Sequence, residues 1–187
     1  MWMEKDELRA VAKEVSACTR CRLCQGRTLA VPGEGPGEAS IMLVGEAPGR
    51  MEDRSGRPFV GAAGRMLDRA LSEAGLRREE VFITSVVKCR PPENREPEED
   101  ELEACRRYLE RQVDALRPRV VVLLGRVASS AIAGRKGRIQ RGPAGRYRGA
   151  SLFSTYHPAV ALHGRPHWLG ALSEDLREAA LVAAGSG

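Results

Sequence analysis

The chain reads as an α/β protein: an open parallel sheet with helices on both faces. Three observations carry this reading. Four short apolar, β-branched runs recur along 187 residues. Stretches of helical periodicity separate them. Each run stops at a glycine or polar turn, as strands do when they feed crossover helices.

Taken in order, residues of about 3–16 place Leu8, Val11, Ala12 and Val15 at helical spacing. Cys18-Thr19-Arg20-Cys21-Arg22-Leu23-Cys24 follows, then a segment over 25–40 rich in Gly, Pro and Glu. Its Gly33-Glu34-Gly35-Pro36-Gly37 precedes a strand and contains proline, so it carries little weight as a phosphate loop. The first strand, 41–44, ends at Gly45-Glu46-Ala47-Pro48-Gly49, where glycine and proline force a sharp turn. A polar loop with Glu52, Asp53 and Arg57 comes next. Pro58-Phe59-Val60-Gly61 then leads into a helix over about 61–74, with Met66, Leu67, Ala70 and Leu71 on one face and a stop near Gly75.

The second strand, 81–87, discharges into Lys88-Cys89-Arg90-Pro91-Pro92-Glu93-Asn94-Arg95, a loop because of its prolines. The helix over about 97–115 opens on acidic residues, as its dipole prefers, and carries Cys105. A third strand at 120–125 and a short helix at about 127–133 follow. The Gly- and Arg-rich segment 134–150 reads as a hairpin or exposed loop. The fourth strand, 151–155, ends at Tyr156-His157-Pro158, and a helix over about 166–183 closes the chain.

Parallel strands finish on one edge, the edge where open α/β sheets bind ligands. Here that edge receives Glu46, Ser85 with Cys89, Gly125 and His157. The length suits one domain over 1–187, with an N-terminal metal-binding segment of about 1–30. The net charge of +5 permits an anionic partner without demanding one. No apolar run reaches spanning length and the N-terminus lacks a signal-peptide core, so a cytoplasmic protein with no membrane partner is expected.

Five cysteines in a reducing compartment argue against a disulfide framework and for metal, with inert buried thiols as the alternative. Cys18, Cys21, Cys89 and Cys105 make a four-thiolate set, with Cys24 left over. Such a set suits tetrahedral zinc or an iron–sulfur cluster, and spacing does not separate the two. Its role would be structural, tying the N-terminal helix to the loop after the second strand.

Read together, Gly45-Glu46-Ala47-Pro48-Gly49, Glu52-Asp53, Gly56-Arg57-Pro58-Phe59-Val60-Gly61, Val87-Lys88-Cys89-Arg90-Pro91-Pro92 and His157-Pro158-Ala159 resemble family 4 uracil-DNA glycosylases. These are the iron–sulfur enzymes of thermophilic archaea and bacteria. The resemblance covers nearly the whole chain. It implies a three-layer α/β/α sandwich around a four-stranded parallel sheet, a 4Fe–4S cluster held by Cys18, Cys21, Cys89 and Cys105, and excision of uracil from DNA to leave an abasic site. It implies that Glu46, Ala47 and Pro48 line the base pocket, that Phe59 stacks on uracil, that residue 85 reads a uracil edge, and that His157 contacts uracil O2. The family usually has Asn where this chain has Ser85. An amide both donates and accepts at fixed positions, whereas a hydroxyl is shorter and single, so base selectivity is the property this departure touches.

The chemistry asks the same residues to act. Breaking the N-glycosidic bond leaves negative charge at O2, which a donor from His157 stabilises. Glu46 orients or deprotonates the water, or only walls the pocket. Phe59 offsets part of the cost of extruding the base. Leu162 is the chosen apolar wedge for the vacated stack. Arg90, Arg95, Arg141, Arg146, Arg148 and Arg165 lie in loops where phosphates are contacted or where solvent takes the charge. Uracil-containing DNA is thus the expected partner, the protein is expected to be a monomer, and a sliding clamp is left open. Two other readings stand beside this one: a glycosylase shifted to another deaminated base by Ser85, and an iron–sulfur protein that binds damaged bases without excising them.

Overall fold

The computed structural model describes residues 2–163 and 166–185. Twelve regular elements are described: α1 (Trp2–Ser16), α2 (Leu23–Gly26), β1 (Ile41–Gly45), α3 (Arg50–Ser55), α4 (Ala62–Glu73), β2 (Phe82–Ser85), α5 (Glu99–Leu116), β3 (Val120–Leu124), α6 (Arg126–Ala133), β4 (Gly142–Tyr147), β5 (Ala150–Thr155) and α7 (Pro166–Gly185). Short 3-10 turns cover Arg78–Glu80, Pro92–Asn94 and Pro158–His163.

The expected sheet of four parallel strands is corrected here. The sheet has five strands in the order β2-β1-β3-β5-β4, and β4 runs antiparallel to β5. The extra strand lies in the segment read as a hairpin or loop. Arg148 and Gly149 both have positive φ and join β4 to β5 through a two-residue turn. The strand Gly-Pro-Ala-Gly-Arg-Tyr has no apolar run to betray it. Proline and glycine are tolerated there because β4 is an edge. A second correction concerns the polar loop after β1. It folds as α3, capped at Gly49 by Glu52 and closed by Gly56 in the left-handed region.

The other four strands are parallel, and their alternation builds two cores. Ile41, Leu43, Val120 and Val122 face one way, onto Leu67 and Leu71 of α4 and Leu172 and Leu176 of α7. Met42, Val44, Val121 and Leu123 face the other way, onto Leu109 and Val113 of α5 and Val127 of α6. Each such side chain stabilises the fold by about 1.5–3 kcal/mol. Two-sided burial explains why these strands read as continuous apolar runs. At the outer edge of β2, Glu34 forms an antiparallel bridge with Ile83.

α1 docks on α5. Val11 and Val15 pack with Tyr108, Cys89 and Cys105, while Arg111 bonds Glu7 and Glu14 at 2.7 and 2.6 Å. Among the described residues no helix is long and apolar enough to cross a membrane.

Candidate active site

The ends of β1, β2 and β5 open into a cavity of about 360 Å³. Glu46, Ala47, Pro48, Phe59, Ser85 and His157 all line it. Phe59 and His157 are neighbours there, with ring centroids 5.8 Å apart and planes tilted by 33°.

Phe59 takes its place because β1 ends in glycine. A Cβ on Gly45 would lie 2.6 Å from the Phe59 ring, which no real side chain tolerates. Phe59 itself has φ +49, an uncommon value for a bulky residue. Arg78 holds it there, donating to the carbonyls of Phe59 (3.1 Å) and Pro58 (2.6 Å) while bound to Glu34 and Asp68. Glu52 secures the other side. Its carboxylate accepts the amides of Gly49, Val60 and Gly61 at 3.1, 2.9 and 2.8 Å, joining the turn after β1 to the loop that carries Phe59.

His157 follows β5 and packs against Gly125, whose φ of +94 and lack of a side chain leave room for the imidazole. The Ala159 amide donates to Nδ1 at 3.2 Å. That bond leaves the neutral ring's proton on Nε2. Burial pushes the His157 pKa down to about 4, against an opposing pull from Glu52. At neutral pH the residue is therefore a neutral N–H donor.

The Glu46 side chain accepts no hydrogen bond from the described residues. Burial and the nearby Glu96 raise its pKa, and Arg126, itself paired with Glu96, opposes them. Ser85 is buried at the end of β2. Directly behind it lies Lys88, only 1% exposed, whose ammonium donates to Thr84 Oγ1 (2.6 Å), the Ser85 carbonyl (2.8 Å) and Gln112 Oε1 (2.7 Å). Burial lowers the Lys88 pKa to about 7, while the three acceptors are arranged for the charged form.

Beyond Lys88 is a second, smaller cavity lined by Cys18, Cys21, Cys24, Cys89 and Cys105. All five are free thiols. Arg27 donates to Cys89 Sγ at 3.1 Å. Burial pushes the Cys105 pKa up to about 11 and raises those of Cys89 and Cys21. Among the described residues no three His, Cys, Asp or Glu side chains are disposed to hold a single metal ion as they stand. The cysteine segments are cross-braced by Glu101, fully buried, which binds Arg95 at 2.6 Å and Arg22 at 3.2 Å.

Leu162 projects from the turn after His157 and is 42% exposed. The arginines divide. Arg95, Arg141 and Arg148 are bound to Glu101, Asp175 and Asp114, so their charge is already matched. Arg90 bonds Asn94, and Arg146 bonds the Gly149 carbonyl. Arg165 lies outside the described residues. Sequence reasoning passed over Arg78, the anchoring role of Glu52, and Val31, Pro91, Asn94 and Arg95 in the cavity wall. Glu52, three residues after Gly49, had the spacing of a capping carboxylate. Arg78 had no sequence signal.

The family model described as the uracil DNA glycosylase superfamily matches residues 32–180. A type-4 uracil-DNA glycosylase of Sulfurisphaera tokodaii is 48% identical, covering 92% of this chain and 83% of that one. The type-4 protein of Thermotoga maritima is 40% identical over 96% of both chains. A type-5 uracil-DNA glycosylase of Thermus thermophilus is 39% identical over 63% of this chain and 69% of its own.

Proposed function

The chain belongs to the uracil-DNA glycosylase superfamily, with the type-4 enzymes, and we propose that this DNA repair glycosylase works by holding an extruded uracil with its face on Phe59 and its O2 edge at His157. The observation that supports this most is that the two rings stand 5.8 Å apart in one cavity lined by all six pocket residues, close enough for a single base to lie on one and turn an edge to the other.

In the reaction the N1–C1′ bond breaks and its electron pair leaves with the uracil ring, gathering at O2. A water oxygen bonds to C1′, and its proton passes to a base or to solvent. The neutral His157 donates Nε2–H to O2 as charge develops there. Phe59 stacks on the ring, which offsets unstacking by about 1–3 kcal/mol. Glu46, at the pocket wall, takes the water. Leu162 fills the space the base leaves.

The Ser85 hydroxyl both donates and accepts, and it lies beside the base with no hydrogen bond to the described residues. It serves either edge of a pyrimidine, so discrimination against cytosine falls on the rest of the wall. An oligonucleotide with a single uracil is expected to become alkali-labile on incubation. Binding without cleavage would remove the enzymatic reading, and cleavage confined to other deaminated bases would remove the assignment of uracil to this pocket.

The role of Glu46 has its own test. If it receives the water's proton, the single-turnover rate falls as pH drops through its raised pKa. Glu46→Gln should then lose about 100-fold and that acid limb together. An undiminished Gln variant would leave Glu46 as wall only.

The thiol cavity suits a 4Fe–4S cluster held by Cys18, Cys21, Cys89 and Cys105. Its donors are all soft thiols, and Arg27 stands ready to offset their charge once deprotonated. When bound, the cluster would supply structure, tying the segment after α1 to the loop after β2. Purified protein should contain iron and acid-labile sulfide in equal amounts, lost in Cys105→Ser. A zinc-containing protein free of sulfide would refute the cluster.

A further inference from the structure

The glycine-rich segment before β1 stays out of the wall of the base cavity, yet it reaches the cavity through one arginine. Gly33 and Gly35 have φ of +119 and +143 and lie close against β2. A Cβ on them would stand 2.9 Å from the Ile83 carbonyl oxygen and 2.4 Å from that of Val81. Only glycine brings the backbone this near. Glu34, between them, forms the bridge with Ile83 and pairs its carboxylate with Arg57 and Arg78 at 2.8 and 2.9 Å.

Every N–H of the Arg78 guanidinium has an acceptor. Nε donates to Glu34 Oε1 at 3.2 Å. Nη1 donates to Asp68 Oδ1 at 2.8 Å and to the Phe59 carbonyl at 3.1 Å. Nη2 donates to Glu34 Oε1 at 2.9 Å and to the Pro58 carbonyl at 2.6 Å. The two carboxylates fix the guanidinium, and the fixed guanidinium grips two successive carbonyls. A planar fork of donors does this; the point charge of a lysine does not.

The gripped residue is under strain. Its φ of +49 lies in the left-handed region, which a bulky aromatic residue adopts only when its surroundings impose it. On the side of α4, the Phe59 carbonyl oxygen comes so near that a Cβ on Gly64 would lie 1.9 Å from it. The peptide after Phe59 is therefore pinned between Gly64 and Arg78. Its ring consequently lies over Gly45, 5.8 Å from His157. Released to the ordinary negative φ, Phe59 would carry its ring out of that place.

We propose that Arg78, aimed by Glu34, is a positioning residue for base excision: it keeps Phe59 in the left-handed backbone conformation that presents the ring to the base. It touches none of the reacting atoms and acts only through Phe59. The inference rests on the glycosylase reading and deepens it, by naming what sets the stacking platform and giving the Gly33-Glu34-Gly35 segment its part.

Inhibition of excision by free uracil reads the platform. Phe59→Ala and Arg78→Met should each raise the inhibition constant about tenfold, the loss of one stacked base. In the Phe59→Ala background, Arg78→Met should add less than about twofold, because the ring it acts through is gone. An equal rise in both backgrounds, or none with Phe59 present, overturns the proposal. Arg78→Lys keeps a charge between Glu34 and Asp68, which guards the fold, and should still weaken inhibition as methionine does. Wild-type inhibition in the lysine variant also overturns it. A second arm watches the ring itself. The chain has three phenylalanines, and in protein carrying 4-fluorophenylalanine the Phe59 fluorine signal is the one that Phe59→Ala removes. Arg78→Lys should move that signal and leave the Phe153 signal in place; an unmoved Phe59 signal overturns the proposal. Should Phe59→Ala leave uracil inhibition unchanged, or the wild type excise no uracil, the reading of the base cavity is what fails, and the fluorine signal still decides whether Arg78 places the ring.

Discussion

Replacing His157 with alanine should lower the single-turnover rate of uracil excision by about 100- to 1000-fold while leaving DNA binding in place. The size follows from where charge appears. The leaving uracil becomes an anion inside a buried cavity, and one aimed donor there is worth far more than in water. His157 is set up for that task before any base arrives. Gly125 leaves room for its ring, and the Ala159 amide fixes Nδ1 as acceptor. Burial depresses its pKa to about 4, so the ring is neutral across the working range. Hence the rate should not fall as pH rises through the ordinary histidine range, as it would for an imidazolium acid. Any acid limb belongs instead to Glu46. A His157→Ala enzyme within about tenfold of wild type would take the imidazole out of the reaction.

The second large effect is on stability. Lys88→Met should cost about 3 kcal/mol in denaturant unfolding, since the Ser85 carbonyl and Gln112 Oε1 lose their main donor while still buried. Methionine matches the volume, so the loss reports hydrogen bonding rather than a cavity. Excision should fall as well, because the Ser85 carbonyl is part of the strand end that lines the base cavity. Arginine should not rescue it, since a guanidinium does not fit three acceptors grouped around a point charge. An unchanged unfolding midpoint would mean that the three bonds contribute nothing.

Much of this was legible in the residues. The β-branched runs at 41–44 and 120–124 could only be two-sided strands, and the glycine and proline between Gly45 and Gly49 announced the turn that opens the cavity. Pocket residues carried by strand ends were therefore easy to find. Parts held by long-range contacts were not. Arg78 reaches the Phe59 carbonyl from a turn beyond α4, and no spacing encodes that reach. β4 entered only through the alternative of a hairpin or a loop, because an edge strand needs no apolar face. The loop arginines read as phosphate contacts or solvated charges, but Asp114, Asp175 and Glu101 meet three of them only once the chain is folded.

Both margins of the sheet are blunted. At one, Pro143 lacks an amide and the register shifts between Pro143 and Gly145; at the other, the stretch through Glu34 already occupies Ile83. Neither offers another polypeptide a clean row of amides and carbonyls to zip onto. The fold thus guards against strand-to-strand aggregation at its two most vulnerable borders, while the rim where the strands end and the cavity opens stays uncovered.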